Sequence, residues 1–198
     1  MRIIVLLIIL CASFTLQAQI FRESSSIGVT FSGLGKNEAY LRTTFGNPNF
    51  TGRGYYSFGI TYIQQISSRF DLEIGIEYRN SSFGVNPLLL AEELNTQSYV
   101  DFSLIEIPIT VRFNFWQYFF LNSGMLLNFD ISEDTYTRNQ TGIGIVFGIG
   151  AKYDFKNTPI GAFFNPYLKY RPLIPFLRKI HSLRTAEVGF RIGVVYNF

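Results

Sequence analysis

Residues Thr185 to Phe198 read TAEVGFRIGVVYNF, and their order decides the fold. Val188, Phe190, Ile192, Val194, Tyr196 and Phe198 fall on every second position, with Glu187, Gly189, Arg191, Gly193, Val195 and Asn197 between them. A repeat of two belongs to a β-strand, whose side chains alternate between faces. One face here is apolar and the other is small or charged. A strand of this kind leaves an unpaired edge unless the sheet closes on itself, and the rest of the chain supplies the sheet.

Working back to the start, Ile27, Val29 and Phe31 alternate with small residues, and so do Tyr56, Phe58, Ile60 and Tyr62. Phe70 to Tyr78 alternates against Asp71, Glu73, Gly75, Glu77 and Arg79. The fourth strand begins with Phe102 and Leu104 in one phase and continues from Ile105 to Phe115 in the other, which predicts a β-bulge near Leu104-Ile105, just before Pro108. Strands at 119–131, 142–155 and 160–170 follow, then the terminal one. The connections alternate: long at 33–53, 81–98, 132–141 and 171–184, and short near 64–69, 116–117 and 156–159. Eight antiparallel strands with this rhythm predict an all-β, eight-stranded transmembrane β-barrel with short periplasmic turns and long extracellular loops.

Composition agrees. The 198 residues fit one domain, with 17% aromatic and only 16% charged residues, and a mean hydropathy of +0.18. Met1-Arg2, the apolar run to Leu16 and Ala18 read as a secretory signal peptide over residues 1–18, leaving 19–198 as the barrel domain. Cleavage would remove Cys11, the only cysteine, so disulfides are not expected. The 17 basic and 14 acidic residues are dispersed, which argues against nucleic acid as a partner. No later apolar run is long enough for a membrane helix.

Alternation alone does not say which face points inward; an inward apolar face would make a soluble, lipocalin-like barrel. Three features place the apolar face in lipid. The other face carries Asp71, Glu73, Glu77, Glu106, Asp154 and Glu187 against Arg79, Arg112, Lys152, Lys169 and Arg191, a near balance suited to ion pairs in a narrow lumen. Glycines share that face (Gly59, Gly75, Gly144, Gly148, Gly150, Gly189, Gly193) and leave room for long side chains. Aromatics collect beside the short turns: Tyr62, Trp116, Tyr118, Tyr153, Phe155, Tyr196 and Phe198 form one periplasmic belt. A looser second belt is expected from Phe31, Tyr56, Tyr78, Phe102, Phe129 and Tyr170.

The segment Leu104-Ile105-Glu106-Ile107-Pro108-Ile109, then Arg112, resembles the leucine-glutamate-isoleucine-proline strand of the porin-like outer-membrane β-barrel family of Gram-negative bacteria. Asn122-Ser123-Gly124 and Gly193 to Phe198 are similar to it as well. The resemblance implies the bacterial outer membrane as location and little about chemistry. It also implies that Phe198 serves as a recognition signal for barrel-assembly machinery.

Catalytic signals are sparse. His181, the single histidine, stands beside Ser182, which raises a lipid A acyl-hydrolase reading, but neighbouring side chains on an extended loop point apart and no orienting acid is close. Asp130 with Glu133-Asp134 lacks the ligand density of a calcium loop. No cofactor or metal is expected. The expected function is a monomeric barrel with a plugged polar lumen, in contact with outer-membrane lipid and lipopolysaccharide, and a structural or surface-interaction role carried by its extracellular loops. A narrow porin and a lipid-modifying enzyme are the alternatives.

Overall fold

The structure, a computed structural model, describes residues 24–41, 49–86, 98–132, 140–176 and 183–198. The signal peptide, the segment 87–93, Glu133-Asp134, His181 and Ser182 lie outside them. Eight strands follow one another: β1 (Ser25–Leu41), β2 (Asn49–Gln65), β3 (Phe70–Asn86), β4 (Ser98–Phe115), β5 (Phe119–Asp130), β6 (Gly142–Asp154), β7 (Ile160–Pro175) and β8 (Leu183–Asn197). Each pairs antiparallel with its neighbours, and β8 pairs with β1 to close the barrel. In that closure Ile27 stands opposite Tyr196, Val29 opposite Val194 and Phe31 opposite Ile192. No sheet edge is left, as hydrocarbon requires.

The outward face is apolar around the whole circumference, from Val29 and Phe31 on β1, through Ile60, Ile74, Val111, Met125, Phe147 and Phe164, to Ile192 and Val194 on β8. A continuous band of this kind suits lipid and would be untenable in water. No helix among the described residues is long and apolar enough to cross a membrane; this barrel crosses with strands.

Two expectations change. The first four strands are longer than their hydrophobic alternation indicates, at 17, 17, 17 and 18 residues. A crossing strand needs about 9–11 residues, so the β1–β2 and β3–β4 hairpins continue beyond the bilayer on the side away from the tight turns. The connections read as 33–53 and 81–98 shrink to 42–48 and 87–97. Above the membrane the outward face of a strand meets water instead of lipid, so pairing persists without an apolar outer face to mark it.

The bulge expected at Leu104-Ile105 is absent: the β4–β5 register runs unbroken from Leu104↔Asp130 to Phe115↔Phe119. Phe102 and Leu104 instead share the inward phase of Glu106 and are buried, at 2% and 1% exposure. Phe102 therefore leaves the second aromatic belt and packs edge-on against Phe83, with ring centroids 5.7 Å apart. Pro108 has its effect on the other side of β4. Pairing with β3 lapses between Ile74↔Ile109 and Glu77↔Glu106 without a change of register, because proline has no N–H to donate. True register shifts occur at Gly33/Lys36, Gly52/Gly54 and Ile143/Ile145.

Candidate functional site

The candidate site is the barrel interior, assembled from inward positions of six strands. At its centre Glu73, wholly buried, accepts from Arg112 Nε at 2.6 Å, Thr61 Oγ1 at 3.0 Å and Thr110 Oγ1 at 3.2 Å. Arg191 Nη1 lies 3.0 Å from the same carboxylate and 3.6 Å from Glu77. Lys169 Nζ then donates to both Glu77 and Glu106, each at 2.9 Å. Arg171 bridges Glu106 to Glu187, reaching the latter at 2.8 Å, and Arg79 also pairs with Glu187. Nine buried charged side chains thus form one connected lattice. Arg112 and Glu106, six residues apart on β4, find their partners on other strands, as their separation of about 20 Å at 3.3 Å per residue requires.

Aromatic rings complete it. The Arg112 guanidinium sits 4.5 Å from the Phe120 ring centre and 4.6 Å from that of Phe163. Arg79 lies 4.4 Å from the Tyr55 ring centre. Arg79 Nη1 and Arg112 Nη2 have no hydrogen-bond acceptor among the described residues; the ring faces give those cations part of the compensation that water would. Tyr167 donates to Glu187 at 2.6 Å and its oxygen is 3.1 Å from that of Tyr55.

The lattice lies between apolar groups along the barrel axis. On the side of the tight turns, Ile63, Phe120, Phe163 and Val195 pack into one cluster. On the other side stand Phe83, Phe102 and Leu104, with Tyr55, Leu126, Val146 and Tyr167 clustered beside the upper ion pairs. Below the lower cluster a polar vestibule of about 490 Å³ holds Asp71, Asn114, Lys152 and Asp154. Lys152 is part-exposed there, with Nζ 4.0 Å from Asp71, and Asp154 is an exposed acceptor for Asn197 at 3.1 Å. These two stand apart from the lattice.

Arg171 is missing from the sequence-derived set, because Pro172 and the loss of apolar alternation make 171 look like the start of a loop. The signal was in the parity: Asn165, Tyr167, Lys169 and Arg171 fall on every second residue, and all are buried. The interior rings were also missed, although each faces a glycine across the ladder. Phe163 pairs with Gly193, Phe120 with Gly150, and Tyr167 with both Gly148 and Gly189. A Cβ on Gly193 would run into the Phe163 ring, and one on Gly150 into that of Phe120. The glycines make room for rings as well as for charged chains.

Outside, Tyr62, Trp116, Tyr118, Tyr153, Phe155, Tyr196 and Phe198 are all exposed around the turn end, with Tyr118 and Tyr153 stacked at 6.2 Å. Asp130 caps its own loop, accepting from the backbone N–H groups of Ser132 at 3.0 Å and Gln140 at 2.9 Å. Among the described residues no group of three metal-ligating side chains exists.

No family model matches the sequence, and no curated protein does. Solved structures do. The outer membrane protein OprG from Pseudomonas aeruginosa superposes with a TM-score of 0.54 at 13% identity, over 89% of this chain and 95% of that one. Ail of Yersinia pestis, solved with the heparin analogue sucrose octasulfate, gives 0.45 at 12% identity over 90% and 100% of the two chains. AlkL, solved in lipid bilayers, gives 0.44 at 13% identity over 86% and 90%. At such identities the likeness is one of fold, and it rests on OprG. Together with the closed eight-strand topology and the apolar girdle, it makes this chain an outer-membrane β-barrel of the small eight-stranded type.

Proposed function

We propose that the barrel is plugged by its own side chains and that its role is structural or surface-interacting, exercised at the extracellular end. The observation that carries this reading is the nine-residue charge lattice packed between apolar clusters: Glu73, Glu106 and Arg171 are each 0% exposed. A water path would wet at least some of these groups. The lengthened β1–β2 and β3–β4 hairpins support the surface role, since they carry ordered backbone beyond the bilayer. The complete β1–β8 seam supports a monomer, because no edge is left for a second copy. The reading assigns the protein no reaction.

Purified protein in planar bilayers should give a silent trace over long recordings. Reproducible open steps would overturn the plug and favour the narrow porin. Phe198, exposed at the belt, is on this reading the handle for barrel-assembly machinery. Deleting it should lower the amount of heat-modifiable barrel in the outer membrane severalfold while total synthesis holds; undiminished surface levels would refute that role.

A further inference from the structure

We propose that the seam between β1 and β8 seats one lipid A-type molecule, a phosphorylated glycolipid of the outer leaflet. The inference rests on the outer-membrane placement and does not depend on the plug. Inside the barrel the Tyr55 hydroxyl occupies the space that side chains at Gly35 and Gly189 would need. The β1 ladder skips at this height, between Gly33 and Lys36, and Leu34 takes a left-handed φ of 55°. Its side chain is thrown outward to 90% exposure. The result is a cleft of about 480 Å³ on the outer wall, with Leu34, Val188 and Phe190 as apolar sides, the backbone of Gly35 and Gly189 within it, and Lys36 at its rim.

The height of this cleft identifies its occupant. Along β8 the outward residues are apolar from Tyr196 to Val188 and then become Ala186 and Arg184, so Val188 marks the top of the hydrocarbon band. Lys36 stands directly opposite Val188, at headgroup level on the side away from the tight turns. No ion pair among the described residues involves Lys36; Glu38, which lines the same cleft, has interactions of its own. Arg184 lies four residues further up β8, about 13 Å away at 3.3 Å per residue, and its Nη1 is 3.5 Å from the Tyr170 hydroxyl. Lys36 at the mouth of the apolar cleft and Arg184 further up the same seam match a lipid with acyl chains below and phosphates at both ends of a sugar head. A lipid with a single phosphate would use only one of them.

The test uses the full barrel in micelles and native mass spectrometry, with bis-phosphorylated lipid A, its phosphate-free form and phosphatidylglycerol as probes. Wild type should retain one bis-phosphorylated lipid A. Lys36→Glu should weaken retention about tenfold, and Leu34→Ser should weaken it as well. Lys156→Glu, in an exposed periplasmic turn, should leave it unchanged. Heat-modifiable gel migration selects folded variants, and Lys36→Gln serves if the reversal does not fold. Equal retention by folded Lys36 variants, equal binding of phosphate-free lipid A, or phosphatidylglycerol held as tightly as lipid A would each overturn the site. Conducting steps with lipid A binding intact would overturn the plug and leave the site standing.

Discussion

Replacing Glu73 by alanine should destabilise the barrel by about 3–5 kcal/mol, the cost of leaving buried charges without their partner. Glu73 neutralises Arg112 and Arg191 and accepts from Thr61 and Thr110, all of them buried. Its removal strands Arg112 and two hydroxyls in a space without bulk water and leaves Arg191 its longer ionic contact to Glu77. Urea unfolding in lipid vesicles, followed through the single tryptophan, Trp116, would measure the loss. Removing Arg112 as well should recover part of it, because deleting both members of a buried pair costs less than deleting one. A single variant within about 0.5 kcal/mol of wild type, the range of an ordinary surface change, would show that the lattice does not hold these charges as described.

The second large effect concerns the floor of the lattice. Phe120→Ala with Phe163→Ala removes both rings that flank the Arg112 guanidinium and should cost about 3–5 kcal/mol for each ring. It should also let periplasmic water reach the lower ion pairs. With residues 1–18 removed the chain has no cysteine, so Thr110→Cys, at a position exposed by only 2%, can report that access. In the parent background a charged thiol reagent should fail to label it, and in the double-alanine background labelling should become rapid. Conductance should stay silent in both, since Phe83, Phe102 and Leu104 still stand across the far side of the lattice. Labelling of the Thr110→Cys thiol at equal rates in the two backgrounds would mean that the rings do not keep water out.

The charge lattice also bears on how the fold is specified. In lipid, an apolar exterior has no preference between one register and the next. Sliding a strand by one residue would turn its interior charges outward. An Arg or Lys brought to the bilayer midplane costs about 2–4 kcal/mol, so Arg191 on β8 and Lys169 on β7 hold the phase of their strands. The pairing of Lys169 with Glu187 across the β7–β8 ladder places both on the same inward face. On this argument the lattice contributes specificity more than net stability.

Much of this was legible from residue order alone. Alternation in TAEVGFRIGVVYNF, repeated along the chain, fixes strand phase because side chains leave a strand on alternate sides whatever the tertiary context. The rhythm of tight and long connections fixes antiparallel order and which end carries the turns. Glu73, Glu77, Arg79, Glu106, Arg112, Lys169, Glu187 and Arg191 could be assigned inward by parity, as the structure places them. Three things needed the tertiary structure. The ion-pair partners depend on how far each strand is staggered around a closed barrel, which no single strand encodes. The extent of β1 to β4 above the membrane depends on backbone pairing where the outward face is no longer apolar. The burial of Phe102, Leu104, Phe120 and Phe163 depends on glycines across the ladder that open space for a ring. Periodicity reports which way a side chain leaves its own strand; closure of the barrel decides what it meets there.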